Sequence, residues 1–168
     1  AKKMAGPDCR IYVYGRCMGG VAALLAAQQP DFSNNVAGIV VDSPYATFEE
    51  PLMALGKRRY NVNIGFLYKW VKVCVQKNFN FDIDACNSSI HASEIRVPVL
   101  MFHGEADHIV DPKHSRRIYD AIVAPKRLII IPNADHLQAY NQAPVIYERE
   151  VEKFIEQCVM RLVKLGRM

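Results

Sequence analysis

Short apolar runs alternate with longer amphipathic segments along this chain of 168 residues. Runs rich in β-branched and aromatic residues predict strands, and runs of helix-forming residues with apolar positions three or four apart predict helices. The predicted strands lie at residues 10–14, 36–42, 97–103 and 127–132. The predicted helices lie at residues 18–29, 112–122 and 144–164. The alternation predicts a single α/β domain, and continuously apolar second and third strands favour a doubly wound, mostly parallel sheet covered on both faces.

The segment Gly15-Arg16-Cys17-Met18-Gly19-Gly20 joins the first predicted strand to the first predicted helix. Strand, tight turn and helix form the context of a nucleophile elbow, which holds its central side chain above the sheet edge. Side chains two positions to either side would collide with neighbouring chain, so we expect glycine to be required at Gly15 and Gly19. Cys17 is then the candidate nucleophile, at a helix N-terminus that stabilises a thiolate. The amide of Met18 is the candidate oxyanion donor.

Two downstream loops carry the partners that such a nucleophile needs. Asp107 follows the third predicted strand and His136 follows the fourth, so parallel strands would bring both to the sheet edge that holds Cys17. The order nucleophile, acid, histidine is the one typical of an elbow-based triad. The alternatives are an ordinary turn aspartate and a solvated loop histidine. Three further residues are candidates for the substrate pocket: Arg16, Ser43 and Tyr45.

These residues together resemble the α/β-hydrolase superfamily, in its serine aminopeptidase-like and esterase-like branch. The resemblance rests on the elbow, on the strand end at residues 40–44, on the segment at 103–110 and on the loop at 133–136. It implies that Cys17 stands at the position of the nucleophilic serine. It also implies that residues 47–94, a long mixed interval rich in aromatic side chains, form a helical cap over the site.

The cysteine at the nucleophile position has three explanations that the sequence leaves open. It is a natural thiol nucleophile, as in relatives that resemble dienelactone hydrolase, or an engineered replacement of serine, or a product of drift in a chain that no longer catalyses. A thiolate is the better nucleophile, but sulfur is larger than oxygen and gives a thioester.

The elbow lies close to the start of the chain, whereas the resemblance implies several strands before it. We therefore expect residues 1–168 to form a partial domain that lacks the N-terminal strands and the loop that donates the second oxyanion amide. The strand at residues 10–14 would then be an exposed edge, which invites pairing with a second copy or with an N-terminal half chain. Length and an apolar content of 51% still allow a sizeable core.

The charge distribution and the cysteines bear on which partners and cofactors the chain would bind and on its compartment. The net charge of +4 is spread over basic positions interspersed with acidic ones, so we expect no nucleic-acid partner. Five irregularly spaced cysteines fit no zinc pattern, and we expect no metal and no cofactor. Their odd number favours a reducing, cytoplasmic compartment.

Two functions from different classes fit the sequence. The first is a hydrolase that attacks ester, thioester or amide bonds through Cys17, His136 and Asp107, with an acyl-enzyme intermediate and a small acyl substrate. The second is a non-catalytic, truncated hydrolase-like module that binds a partner through the exposed strand. The intact triad partners favour the first function, and the missing oxyanion loop favours the second.

Overall fold

A computed structural model of the chain describes residues 9–34, 36–62 and 64–166. Four strands form one parallel sheet in chain order, with bounds β1 Ile11–Arg16, β2 Val36–Asp42, β3 Val99–Gly104 and β4 Lys126–Ile131. The helices are α1 Met18–Ala27, α2 Glu49–Tyr60, α3 Gly65–Phe79, α4 Lys113–Ala121, α5 Ala139–Gln142 and α6 Pro144–Lys164. Each predicted strand and helix is present, with ends shifted by at most two residues. The α/β prediction is confirmed.

The sheet is covered on both faces, as a doubly wound fold requires. On one face, α1 and α4 pack against side chains such as Val41 and Met101. On the other face, α6 packs Phe154 and Cys158 against Val40 and its neighbours. Parallel strands with short carboxyl-terminal loops place the ends of β1, β3 and β4 at one sheet edge, where the predicted site residues lie.

The segment between β2 and β3 is mainly helical. It contains α2 and α3, followed by short 3₁₀ turns at Ile83–Ala85 and Ala92–Glu94. Glu50 at the start of α2 accepts a hydrogen bond of 2.6 Å from Arg117 of α4, and its carboxylate also lies 3.6 Å from His114. These contacts fix the start of α2 to the body of the fold.

Helix α6 corrects one detail of the sequence interpretation. Its apolar residues, three or four positions apart between 151 and 163, predict one stripe that packs on the sheet as core. The side chains on one row of the helix are buried: Phe154, Cys158 and Leu162. Ile155 and Val163, beside that row, are 38% and 54% exposed. Only the row that faces the sheet is core, because a single helix face about 100° wide contacts a flat sheet.

Candidate active site

Cys17 occupies the sharp turn between β1 and α1. Its backbone has φ 46° and ψ −116°, a conformation that non-glycine residues rarely adopt and that stores strain. The N–H of Cys17 donates a hydrogen bond of 2.8 Å to the carbonyl of Asp42, which ties the turn to the end of β2. Cys17 is half-buried against an apolar cluster that contains Val21, Tyr45 and Val110. The turn is therefore sharp, strained and tied to the sheet.

The glycines around the turn do not contribute equally. A Cβ atom on Gly15 would lie 2.5 Å from the carbonyl oxygen of Gly19, so glycine is required at that position. A Cβ atom on Gly19 would meet nothing within 4 Å among the described residues, so the expectation that Gly19 is required is wrong. The close approach instead involves Gly20, whose Cβ would lie 3.2 Å from the oxygen of Gly15. The close approach at the turn is therefore between Gly15 and the backbone of Gly19 and Gly20.

Asp107 and His136 meet at the carboxyl ends of β3 and β4. His136 Nδ1 lies 2.8 Å from Asp107 Oδ2, and the carboxylate is fully buried. The other carboxylate oxygen accepts hydrogen bonds from the N–H groups of Ile109 and Val110, at 2.9 and 2.8 Å. The acid is thus held rigidly by its own loop, and Nε2 is the histidine nitrogen left for Cys17.

The protonation states of the pair follow from these contacts. Burial opposes ionisation of Asp107, but hydrogen bonds from His103, His136 and its own loop hold the pKa of the carboxyl well below its usual value. Burial opposes protonation of His136 as well, but the hydrogen bonds with Asp107 and with the thiol of Cys17 raise its pKa to about 9. The structure therefore brings the three predicted residues together around one basic imidazole.

His103, the penultimate residue of β3, is a third partner of the acid. Its Nε2 lies 3.2 Å from Asp107 Oδ2 and 2.8 Å from the carbonyl of Val110, and its side chain is fully buried. Its Nδ1 lies 2.6 Å from the hydroxyl of Ser115. With a proton on Nε2, His103 donates towards the acid and accepts from Ser115, so every polar atom of the group is satisfied.

Two features lock the acid loop to the histidine loop. Gly104 allows the two loops to approach each other closely, since a Cβ atom there would lie 2.2 Å from the carbonyl oxygen of Ala134. Asp135 accepts hydrogen bonds from the N–H groups of His108 and His136, at 3.1 and 2.7 Å. Asp135 therefore fixes the loop that carries the histidine.

Arg16 holds the histidine loop from its other side. Its guanidinium donates a hydrogen bond of 2.6 Å to the carbonyl of Leu137, and its Nε lies 3.9 Å from Asp42 Oδ2. Asp42 is fully buried, and its Oδ2 accepts no hydrogen bond from the described residues. Burial raises the pKa of Asp42, and neighbours such as the Ser43 hydroxyl and Arg16 offset that effect only in part. In these contacts Arg16 acts as an anchor of the loop; its predicted place in the substrate pocket stays a prediction.

The remaining predicted site residues lie close to Cys17. Ser43 is fully buried and donates a hydrogen bond of 3.1 Å to Asp42, so its hydroxyl faces protein. Tyr45 belongs to the cluster around Cys17; burial and then the nearby thiol raise the pKa of Tyr45 to about 12. Met18 is the first residue of α1, so its N–H has no acceptor within the helix. That amide is available to a developing oxyanion.

A groove of about 690 Å³ lies beside the triad loops. Ile109 and Asp135 line it from the body of the fold, and the carboxyl-terminal half of α2 lines it with Leu55, Arg58 and Tyr60. The groove thus lies between α2, which forms one wall of it, and the loops that follow β3 and β4.

Sequence reasoning missed the supporting residues more than the reacting ones. The contact of His103 with Asp107 joins residues four apart around a turn, a spacing that is a usable signal. The sequence gives no sign that Asp135 bonds the backbone of both loops. No local signal connects Arg16 with Leu137, which lie 121 residues apart.

Comparison with known proteins finds a family model that matches part of the chain. Residues 83–141 match the family model described as serine aminopeptidase, S33. The chain is 26% identical over 147 residues to the uncharacterized protein YfhR of Escherichia coli O157:H7, covering 87% of this chain and 45% of YfhR. YfhR of Escherichia coli strain K12 is 25% identical over the same length. The chain thus spans a little under half the length of these curated relatives.

Solved structures share the fold. An esterase of Pyrococcus furiosus, Pf2001, matches with a TM-score of 0.68 and 21% identity, over 89% of this chain and 54% of the esterase. A monoacylglycerol lipase of Paleococcus ferrophilus matches with a TM-score of 0.56 and 17% identity, over 88% of this chain and 69% of the lipase. With its parallel sheet, the chain has the α/β-hydrolase fold that these esterases and lipases share, and its residues 83–141 are similar to the serine aminopeptidase family.

Proposed function

We propose that this chain carries the catalytic triad of an acyl-transfer hydrolase, with Cys17 as nucleophile, His136 as base and Asp107 as orienting acid. The observation that carries the proposal is the 2.8 Å contact of His136 Nδ1 with the buried Asp107 carboxylate, in an imidazole whose pKa the thiol of Cys17 also raises. Strained backbone at the nucleophile and a free amide at Met18 support the same assignment.

The reaction proceeds in two steps. The sulfur of Cys17 attacks the carbonyl carbon of an ester, thioester or amide while His136 Nε2 takes the thiol proton and passes it to the leaving group. Asp107 keeps Nδ1 protonated and stabilises the imidazolium that forms. Water, activated by the same histidine, then cleaves the thioester of the acyl-enzyme and releases the acid. The amide of Met18 donates to the carbonyl oxygen in both steps.

The chain by itself is expected to be a slow hydrolase. An oxyanion hole uses two donors, and the sequence offers a candidate only for the one at Met18. Loss of one donor costs about 100 to 1000-fold in rate. A thiol acyl-enzyme should therefore accumulate more readily than product, which makes the adduct the better readout.

The test is to incubate the chain with a short-chain aryl ester and to locate the acyl group by intact mass and peptide mapping. We expect acylation at Cys17, and we expect His136→Ala to slow it at least 100-fold. Cys74→Ala is the matched control, since Cys74 is another half-buried cysteine but lies on α3. Acylation that persists in Cys17→Ala, or that ignores the loss of His136, would contradict the triad.

A second candidate function is binding through the edge of the sheet. Among the described residues β1 pairs with β2 alone, and its Tyr14 is 55% exposed. The exposed Ile155 of α6 lies beside this edge, since its carbonyl is 3.5 Å from the hydroxyl of Tyr12. An open edge next to an apolar row fits a second copy or a chain that supplies the N-terminal half of the fold. Sedimentation of the chain as a monomer at all concentrations would argue against self-pairing.

The five cysteines also bear on location. The described chain holds all five as free thiols, which supports a reducing compartment such as the cytoplasm. No helix among the described residues has the length and hydropathy needed to cross a bilayer.

A further inference from the structure

Helix α3 presents an apolar face that the described part of the chain leaves uncovered. Phe66, Trp70 and Val73 recur at spacings of four and three residues, which puts them on one face of the helix. Their side chains are 79%, 63% and 64% exposed. A shallow groove of about 520 Å³ runs along this face. Large apolar side chains grouped in this way mark an interaction surface and not a random surface position.

The charges that α3 itself carries are of one sign. The 15 residues of α3 contain three lysines and no acidic residue. Lys72 pairs with Asp84, whereas Lys69 and Lys77, which border the groove, have no acidic partner among the described residues. The surface therefore combines an aromatic and aliphatic centre with unpaired positive charge at its border.

We propose that this face of α3 docks on the surface of an anionic lipid bilayer. A helix about 22 Å long with lysines along it is too short and too polar to span a membrane, but it suits a position in the plane of the interface. Trp70 and Phe66 would enter the headgroup region while Lys69 and Lys77 contact anionic headgroups.

A second copy of the chain fits this face less well. In a two-fold dimer the same patch meets itself, so Lys69 and Lys77 of one copy would face the same lysines of the other. Like charges at an interface oppose association, whereas an anionic surface neutralises them.

Docking through α3 would also orient the candidate active site. Helix α2 precedes α3 directly and forms one wall of the groove beside Asp135 and Ile109. A lipid-bound α3 would therefore hold that groove near the interface, where acyl esters are concentrated. This last step rests on the proposed function, but the docking itself does not.

Trp70 supplies a built-in probe, because it is the only tryptophan of the chain. The experiment measures the fluorescence emission of Trp70 and the co-sedimentation of the chain with vesicles. It compares vesicles of phosphatidylcholine with vesicles of phosphatidylcholine and phosphatidylglycerol. We expect a blue shift and binding with the anionic vesicles only, both weakened by salt. The measurement uses no activity assay. A negative result would therefore contradict the docking proposal without bearing on the proposed triad.

Matched variants assign the binding to the face. Val73→Asp is expected to weaken binding about tenfold or more, and Val145→Asp, at a position of α6 that is 74% exposed, should leave it unchanged. Lys77→Gln should weaken binding about fivefold, and Lys164→Gln at the end of α6 should not. Far-UV circular dichroism of each variant checks that it folds; Phe66→Ser serves as a second probe of the apolar centre.

Three results would overturn the proposal. The first is no shift of Trp70 emission with anionic vesicles. The second is binding that Val73→Asp and Val145→Asp reduce equally. The third is a shift that depends on protein concentration without lipid and accompanies dimer sedimentation, which would assign the face to a second copy.

Discussion

His103 Nε2 lies 3.2 Å from Asp107 Oδ2, and both side chains are fully buried. The carboxylate therefore accepts from two histidines, one exposed to the site and one locked inside the fold. His103 is not placed to touch a substrate, since its other contacts are the carbonyl of Val110 and the hydroxyl of Ser115. It is a positioning residue that holds the acid through a hydrogen bond.

Substitution of His103 tests this relationship. His103→Leu leaves the Val110 carbonyl and the Ser115 hydroxyl without a buried partner, so we expect unfolding free energy to fall by about 2–3 kcal/mol. With one donor fewer, Asp107 accepts more strongly from His136, so the pKa of His136 should rise further. Ser115→Ala is the control; it should cost about 1 kcal/mol. Urea denaturation and proton NMR titration measure both effects, and an unchanged titration of His136 would contradict the positioning role.

The titration of His136 gives a second prediction. Its pKa is raised to about 9 in the folded chain, against an unfolded value of about 6.5. A raised pKa stabilises the fold below the unfolded value, so this contribution is complete below about pH 6.5 and is lost as pH rises to about 9. Asp107→Asn removes the main group that raises the pKa, and burial then lowers it. In the parent chain the unfolding free energy should fall between about pH 6.5 and about pH 9. We expect most of that fall to be absent in Asp107→Asn.

NMR of the His136 ring and urea denaturation at several pH values check this prediction. His91→Gln is a control, because His91 lies on the surface and contacts Glu94. If Asp107→Asn kept the same pH dependence as the parent chain, the pair would not be coupled as the 2.8 Å contact indicates.

The thiols should differ in reactivity. Cys17 stands half-buried at the start of α1 beside His136, which can take the thiol proton during alkylation, so iodoacetamide should label it first. Burial raises the pKa of Cys86, and burial raises the pKa of Cys158 to about 11, so both should react slowly. Peptide mapping after brief alkylation of the folded chain gives the order. Faster labelling of Cys74 or Cys9 would contradict the elbow assignment of Cys17.

Much of this architecture could be predicted because its signals are local. The apolar run at β2 is visible in the local sequence, and the glycine at Gly15 is required by backbone atoms four and five residues away; both agree with the structure. The positions of Asp107 and His136 followed from strand ends in a parallel sheet. Their support by His103 and by Arg16 depends on which side chains the folded loops bring together, and no periodicity in the sequence encodes that.

The limits of local reasoning are clear at Gly19. A pattern of glycines around a nucleophile suggested that both flanking positions were equally crowded. Of these two positions the fold crowds only Gly15, whose Cβ would meet the backbone of Gly19 and Gly20, while Gly19 is exposed. A motif records which residue types occur together, but the direction of each Cβ vector decides which are required.

The two glycines give the last prediction. Gly15→Ala would place Cβ 2.5 Å from a backbone oxygen, so the turn must open, and we expect a loss of at least 2 kcal/mol in unfolding free energy. Gly19→Ala adds a methyl group into open space within α1, where alanine is favoured over glycine by up to about 1 kcal/mol. That variant should be as stable as the parent or more so. Urea denaturation of the two variants side by side measures the difference, and acylation of Cys17 in Gly19→Ala checks that the elbow is intact. Equal destabilisation by both substitutions would mean that the turn is crowded symmetrically, contrary to the geometry at Gly19.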